Sequence, residues 1–251
     1  MIDVHCHLEQ EDYNEDRDEI IEKCKKELKA VITSCAHPRD FELTMQLTEK
    51  YKDFVFATCG IHPEYIKEVS EKEIDECIGK IKQNKEKIVA IGETGMDKFW
   101  VQEINWQTKQ KELFIKFISL AKEIEKPVVV HSRDAYNDVL EILENENAEK
   151  VLLHLWSDKK LINKIIENNW HISVGPILLK SKTHKKIIRD MPIERIMTET
   201  DSPWFGIEEK RGIPNNVKFV TQKISEIKKI NIEDVDRITT QNAINFFSLN
   251  I

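Results

Sequence analysis

Short apolar runs alternate with longer amphipathic segments along the whole chain. The apolar runs are rich in β-branched residues and carry little charge, which is typical of strands buried on both faces of a parallel sheet. In the longer segments, apolar residues recur every three to four positions, which indicates helices with one buried face. This alternation of strand and helix predicts an α/β fold with a parallel sheet.

The pattern predicts about eight strands, and their sequences are MIDV, AVITSCA, FVFATCGIHP, KIVAIGE, VVVHS, KVLLHL, HISVGP and RIMTET. Helices are predicted at residues 17–29, 40–51, 70–84, 104–122, 135–146, 158–168, 184–189, 217–229 and 232–247. Ser70 and Glu73 have the spacing of a capping box at a helix start. Because a closed parallel barrel needs eight strands separated by helices, we predict a single TIM-type (β/α)8 barrel over residues 1–251.

An open doubly wound sheet is the alternative fold for the same alternation. In such a sheet, ligands bind at one switch point in the strand order, whereas the polar candidates in this chain follow most of the strands. The chain also has no Gly-rich loop of the kind that binds dinucleotides or phosphates. These two observations favour the barrel.

The composition is that of a globular protein with a substantial core. Hydrophobic residues make up 40% of the chain and charged residues 33%. The formal net charge is −7, from 38 basic and 45 acidic side chains, which argues against a broad nonspecific nucleic-acid surface because such surfaces are usually basic. It does not exclude a nuclease, since divalent metal ions in the site would supply positive charge to a phosphate.

The sequence has no apolar stretch of membrane-spanning length and no signal-peptide pattern. Its five cysteines are an odd number without CxxC spacing, and several lie in apolar runs. We interpret them as buried thiols in a reducing compartment. We therefore expect a cytoplasmic protein that does not associate with a membrane, and no feature indicates an obligate protein partner.

Six side chains that could bind metal lie at or just past the ends of predicted strands: His5, His7, Glu93, His131, His154 and Asp201. The carboxyl ends of barrel strands converge on one mouth, so residues far apart in sequence can meet there. Imidazoles and carboxylates are the ligands of one or two catalytic divalent metal ions. The pattern therefore predicts a hydrolase site. The less favoured interpretation is that each of these residues is an ordinary packed or surface side chain without a shared function.

The spacing suggests how these residues could act. His5 and His7 are two apart on a strand, so their side chains share a face. Glu93 could bridge two metals through its two oxygens, and its alternative role is to cap the following loop. Asp201 could bind a metal or take a proton from the attacking water, and it could also be an N-cap before Pro203.

His131 and His154 each follow an uninterrupted apolar run. Either residue alone would be an ordinary core histidine. Because the two occupy matching positions on different strands, ligation of a second metal explains them better.

The chain resembles the TatD-type metal-dependent nucleases of the amidohydrolase-like barrel superfamily. The resemblance covers nearly the whole length and rests on the ordered motifs DVHCH, GIHPEY, AIGETGMDKFW, PVVVHSRDAY, LLHLWS, RIMTETDSPWF and TTQNAINFF. It implies hydrolysis of phosphodiester bonds in DNA, commonly from the 3′ end of a single strand. RNA is a further substrate to be considered.

The resemblance also implies two divalent metal ions per subunit, as Mg²⁺, Mn²⁺ or Zn²⁺. The first metal would be held by His5, His7, Glu93 and Asp201. The second would be held by Glu93, His131 and His154. Glu93 and Asp201 would also act in catalysis.

Two alternative functions stay open. The first is cleavage of a C–N or ester bond in a small metabolite; many such relatives carry a carboxylated lysine on strand four, where this chain has Glu93. The second is a non-catalytic metal- or DNA-binding protein. That alternative is disfavoured because a buried cluster of imidazoles and carboxylates without metal would be destabilising.

Two loops depart from the family pattern. After the strand-six histidine the family usually has His-Cys-Phe-Ser/Thr-Gly, whereas this chain has His-Leu-Trp-Ser-Asp, so the glycine is replaced by Asp158. Where the family has Arg followed by Asn-Glu-Pro, this chain has RGIPNNV, which keeps Arg211 but lacks the glutamate. We expect these changes to affect the substrate loops and not the metal site.

Substrate contacts are predicted at residues just past strand ends or in the departing loops: His62, Arg133, Trp156, Trp204 and Arg211. His62 could donate to a phosphate or stabilise its loop. Arg133 could pair with a phosphate or with a structural carboxylate.

Aromatic side chains near the mouth could stack on bases, although most large aromatics only pack. The candidates are Trp156, Trp204, Phe99 and Trp100. Asp97 is interpreted as an anchor for the loop that carries Phe99.

Overall fold

The computed structural model describes residues 1–208 and 210–251. Its eight strands form one parallel sheet in the sequential order β1 to β8. The strands are β1 Ile2–Cys6, β2 Ala30–Cys35, β3 Val55–Cys59, β4 Ile88–Asp97, β5 Val128–Arg133, β6 Val151–Leu153, β7 His171–Val174 and β8 Ile196–Thr198. The predicted (β/α)8 barrel is confirmed.

The barrel closes through the segment that follows β8. The backbone N–H of Asp201 donates to His5 O at 2.9 Å, and the N–H of His7 donates to Ser202 O at 2.7 Å. Two residues of the candidate site therefore belong to the seam of the barrel. The hydrogen bonds that close the barrel therefore also hold these residues of the candidate site together.

The α-helices surround the sheet: α1 Arg17–Cys24, α2 Phe41–Lys50, α3 Glu71–Gln83, α4 Ile104–Glu123, α5 Tyr136–Asn145, α6 Ile162–Glu167, α7 Lys182–Asp190, α8 Val217–Lys228 and α9 Ile232–Phe247. The capping box at α3 is present, since Ser70 N donates to Glu73 Oε2 at 2.8 Å and Glu73 N donates to Ser70 Oγ. The first helix is shorter than predicted and ends at Cys24, because the segment after it turns to enter β2.

Side chains from the inner face of the strands fill the barrel interior. This inner cluster contains Ile2, Val4, Ala30, Ile32, Ala90, Val129, Leu152 and Met197. Phe246, Phe247 and Leu249, from the end of α9 and the residues after it, belong to the same cluster. They cover the barrel at the end where the strands begin, so the polar residues of the site are left at the opposite end.

All five cysteines are free and buried, as predicted. Cys6 packs in a cluster with Ile21 and Cys24 of α1, so it faces the helices while its neighbours face the mouth. Within the described part of the chain, no helix has both the length and the apolar character that crossing a membrane requires.

Candidate metal centre

Local irregularities in two strands determine which side chains face the mouth. Between Asp3 and Cys6, β1 has one more residue than β2, because these residues are opposite Val31 and Thr33. Strict alternation would turn His5 away from the face that carries Val4, and the extra residue brings it back. His5 and His7 are thus buried together, with 1% and 2% of their surface exposed.

An extra residue in the strand also positions Glu93 in β4. Ile91 is opposite Val128 and Thr94 is opposite Val130, so β4 also has one extra residue at this point. The strand continues to Asp97, four residues beyond the predicted end at Glu93. Glu93 therefore lies inside an irregular strand rather than at a strand terminus, and its side chain is 4% exposed.

Two of the other three predicted ligands follow regular alternation. His131 is two residues past the inner-facing Val129, and His154 is two past Leu152. Asp201 instead lies three residues beyond the end of β8, with φ 54°. The structure brings all six predicted ligands to one end of the barrel.

The two oxygens of Glu93 face different groups of imidazoles. Oε2 lies 3.2 Å from His5 Nε2 and 3.9 Å from His7 Nε2. Oε1 lies 3.0 Å from His131 Nδ1 and 3.7 Å from His154 Nε2. A carboxylate placed in this way can bridge two cations.

Asp201 lies on the side of His5 and His7. Its Oδ1 is 3.3 Å from His7 Nε2 and 3.6 Å from His5 Nε2. The same oxygen is 3.9 Å from His154 Nε2. Asp201 therefore contacts both groups of histidines but is closer to the first.

Carboxylates behind the histidines decide which ring nitrogen is free for a metal. Nδ1 of His7 lies 3.1 Å from Glu9 Oε1, and Nδ1 of His154 lies 2.8 Å from Glu199 Oε2. These bonds leave Nε2 as the ligating atom of both rings, in the arrangement typical of histidine ligands in metalloenzymes. Glu9 and Glu199 were not predicted from the sequence, in which their only signal is a spacing of two residues from a predicted ligand.

His131 uses the opposite arrangement. Its Nε2 lies 2.9 Å from Asp97 Oδ2, so Nδ1 is the atom that faces Glu93. Asp97 also accepts hydrogen bonds from the backbone of its loop, as predicted. His5 has no such carboxylate, since its buried Nδ1 lacks a partner among the described residues.

The electrostatics of the cluster favour positive charge. Burial opposes protonation of His131, but hydrogen bonds to Asp97 and Glu93 outweigh it and raise the pKa of His131 to about 9. Burial likewise opposes protonation of His154, and Glu199 and Glu93 raise its pKa to about 10. The surrounding imidazoles in turn outweigh burial and hold the carboxyl pKa of Glu93 well below its ordinary value.

The donor set fits divalent metal ions. The groups with atoms close enough to share an ion include His5–His7–Glu93 and His62–Glu93–His131. They combine imidazole nitrogens with carboxylate oxygens, which suit Zn²⁺, Mn²⁺ and related ions. A metal would take the place of the protons that hold these groups together in its absence.

A cavity of about 820 Å³ opens above the cluster. Of the predicted substrate contacts, His62, Arg133 and Trp204 line it, together with Phe99 and Trp100. Nδ1 of His62 accepts a hydrogen bond from Glu64 N at 3.2 Å. Burial and the nearby His131 lower the pKa of His62 to about 3, so the neutral ring carries its proton on Nε2, on the side of Glu93.

Two predicted substrate contacts do not line the cavity. Trp156 is only 1% exposed, its Nε1 donates to Asp158 O at 2.7 Å, and its ring packs against Tyr136. Arg211 lies over the Tyr13 ring and bonds to Asp16. In the described chain, Trp156 and Arg211 therefore make structural contacts and have no place in the cavity wall.

The departure from the family pattern after His154 does not disturb the site. Asp158 has φ −94° and its side chain accepts a hydrogen bond from Lys160 N at 2.7 Å. Because this backbone conformation is open to any residue, a glycine is not required here. The aspartate instead caps the turn that leads into α6.

Comparison with known proteins decides the family. The model of the TatD related DNases matches residues 2–248. The chain belongs to this family. The resemblance read from the motifs is thereby confirmed, and the protein is a TatD-type metal-dependent hydrolase.

Relatives of the TatD family match over almost their whole length. The human deoxyribonuclease TATDN3 is 33% identical over 258 residues, covering 98% of this chain and 94% of the human protein. An uncharacterized metal-dependent hydrolase of Methanocaldococcus jannaschii is 35% identical, covering 98% of this chain and 96% of its own. A TatD family hydrolase from Entamoeba histolytica superposes with a TM-score of 0.90 at 22% identity, covering 98% and 97% of the two chains, which shows the shared fold.

Proposed function

We propose that this TatD-family protein hydrolyses phosphodiester bonds of single-stranded DNA from the 3′ end, with two divalent metal ions. The observation that carries the proposal is the placement of Glu93, whose two oxygens face separate groups of imidazoles. In the proposed site, His5, His7, Glu93 and Asp201 hold one ion. Glu93, His131 and His154 hold the other.

The chemistry needs both ions and side chains. When bound, Mg²⁺, Mn²⁺ or Zn²⁺ would supply positive charge to the phosphoryl and leaving oxygens and make a water more acidic. Asp201 Oδ1, on the edge of the cavity, is positioned to accept the proton of the attacking water. Its own carboxyl pKa is below its ordinary value because the His7 hydrogen bond and neighbouring imidazoles outweigh burial, so it is available as a base.

Two further residues are proposed to bind phosphate groups of the substrate. His62 presents Nε2–H towards the cavity, 3.6 Å from Glu93 Oε1. Arg133 lines the same cavity, and among the described residues no carboxylate forms an ion pair with it. A guanidinium with free N–H groups can bind two phosphate oxygens at once.

DNA is the proposed substrate because the family model is that of DNases and the human relative carries the name deoxyribonuclease. RNA has the same phosphodiester chemistry and is a second substrate to test. Glu93 occupies the position at which many amide-cleaving barrels have a bridging lysine. A cytoplasmic location is proposed on the five buried free thiols.

The test is a metal-rescue assay on defined substrates. Protein dialysed against EDTA should be inactive, and Mg²⁺, Mn²⁺ or Zn²⁺ should restore cleavage of single-stranded DNA. With a 5′ label, digestion from the 3′ end gives a descending ladder; with a 3′ label, it releases a mononucleotide at once. Turnover of an amide or ester from a metabolite panel, without any cleavage of DNA or RNA, would overturn the proposal.

A further inference from the structure

Two large aromatic side chains at the mouth are unusually exposed. Phe99 and Trp100, in the loop after β4, have 44% and 58% of their surface exposed, and both line the cavity above the metal centre. Their rings meet edge to face, with centroids 4.9 Å apart. Adjacent exposed aromatics beside a catalytic cavity are typical of a ligand-binding surface.

The loop holds these rings in place. Asp97 Oδ1 accepts hydrogen bonds from Phe99 N at 2.9 Å and Trp100 N at 2.8 Å. The next residue, Val101, is buried, and its carbonyl accepts from Gln107 Nε2 at 3.0 Å. Since the backbone is fixed on both sides of Trp100, little ordering is needed when a ligand binds.

Arg133 completes the surface. Its guanidinium carbon lies 3.7 Å above the centre of the Phe99 ring and 5.5 Å from that of Trp100. Within residues 1–208 and 210–251, no hydrogen bond or ion pair engages this guanidinium. Phe99 therefore supports one face of Arg133, while the N–H groups at its edge are free for a ligand.

The same carboxylate links this surface to the metal centre. Asp97 Oδ2 bonds to Nε2 of His131, whose other nitrogen faces Glu93. If the phosphate of a nucleotide lies at the metals, its sugar and base would lie against the adjoining wall of the cavity. We call Phe99, Trp100 and Arg133 the aromatic shelf.

We propose that the aromatic shelf binds an unpaired nucleobase next to the scissile phosphodiester, with the base stacked on Trp100 and Arg133 bonded to an adjoining phosphate. The inference rests on the proposed nuclease function and adds to it the cause of a preference for single strands. A base in a duplex is paired and stacked on its neighbours, so it cannot lie on Trp100 without being extruded. Stacking on an aromatic ring tolerates any base.

The proposal is tested by a double-mutant cycle that combines a substitution in the protein with the removal of one base from the substrate. Wild type and Trp100→Ala are compared on a short oligothymidylate and on versions with an abasic residue moved stepwise along the strand from the 3′ end. Binding is measured by fluorescence anisotropy in Ca²⁺, and KM and kcat are measured in the activating metal. Phe219→Ala is the matched control, because Phe219 is also 37% exposed and does not line the cavity.

We expect Trp100→Ala to raise Kd and KM about tenfold on intact oligothymidylate, as loss of one stacked base should, with kcat unchanged. At one abasic position, wild type should lose the same factor and Trp100→Ala should lose nothing further. Trp100→Phe should retain most of the affinity, and Phe219→Ala should match wild type.

The proposal would be wrong if, at every abasic position, the effects of Trp100→Ala and of the abasic residue on Kd were simply additive in free energy. An unchanged Kd for Trp100→Ala would also overturn it. These results are distinct from failure of the nuclease proposal, in which wild type binds the oligonucleotide with the Trp100 dependence but does not cut it. If wild type neither binds nor cuts any oligonucleotide, both proposals are wrong.

Discussion

Glu199 and His154 form a buried pair behind the candidate metal centre. Nδ1 of His154 donates to Glu199 Oε2 at 2.8 Å, and the other oxygen of Glu199 accepts from Leu155 N at 3.1 Å. Both acceptor bonds orient the carboxylate and thereby the ring. The pair sets which nitrogen of His154 is free and where it lies relative to Glu93.

We expect Glu199→Gln to weaken metal binding without unfolding the barrel. The amide oxygen can still accept from His154, but the –NH₂ group would then face Leu155 N–H and the negative charge would be lost. Loss of such an outer carboxylate typically lowers metal affinity by about 10–100-fold. Titration calorimetry with Zn²⁺ or Mn²⁺ measures it, with Glu194→Gln on the exposed surface as the control. Wild-type affinity in Glu199→Gln would show that the pair is only structural.

Gly95 is required by a close backbone approach in β4. Its φ is +144°, and a Cβ there would overlap the carbonyl oxygen of His131. We expect Gly95→Ala to destabilise the protein by more than about 3 kcal/mol, because neither the conformation nor the space accommodates a side chain. Urea unfolding of the metal-free protein measures this.

Gly79 provides the matched control. It lies inside α3, and a Cβ there would meet nothing within 4 Å. Gly79→Ala should therefore stabilise the protein by about 0.5–1 kcal/mol through helix propensity. Equal effects of the two substitutions would contradict the role assigned to the β4 backbone.

His171 should contribute to acid sensitivity at the far end of the barrel. Burial and the nearby Arg195 lower its pKa from 6.5 to about 4. Between these values the unfolded chain binds a proton that the folded chain does not, so stability falls as pH drops through this window. The shift corresponds to about 1–3 kcal/mol after allowance for partial exposure.

The comparison of wild type with His171→Gln isolates this contribution. The difference between their unfolding free energies should be constant above about pH 6.5 and should change progressively down to about pH 4, in favour of the variant. Unfolding curves in chelator across this range provide the measurement. Parallel pH profiles would mean that His171 titrates normally in the folded protein.

The part of the site that lies on regular strands could be predicted from the sequence. His131 and His154 lie two residues beyond inner-facing apolar positions, so strand alternation and the convergence of barrel strands are enough to bring them together. Asp201 was predicted from its place just past a strand end, although it lies beyond β8 with φ 54°. The eight-strand architecture follows from the same pattern. Helix ends differ mainly by a few residues because local sequence specifies them weakly.

The position of His5 and Glu93 at the mouth was predicted from the sequence, but the strand irregularities that produce it were not. His5 and Glu93 face the mouth only because β1 and β4 each have an extra residue, and a bulge has no clear sequence signature. For the same reason β4 was predicted to end at Glu93. Trp156 was expected at the substrate because it follows a strand end, but the turn after β6, with Leu155 at φ 43°, directs its ring into the core. Only three-dimensional packing decides such cases.

The most direct test of the central claim is Glu93→Gln, since Glu93 is the residue proposed to contact both metals. The variant keeps the volume but lacks the second anionic oxygen. We predict that it loses stoichiometric binding of two metals and nearly all cleavage of single-stranded DNA. Its metal-free form should still fold but unfold at a lower temperature than wild type, because the imidazoles of His131 and His154 lose the carboxylate that compensates their charge. A variant that retains two metals and near wild-type cleavage would contradict the account, and one that fails to fold without metal would show that Glu93 is structural.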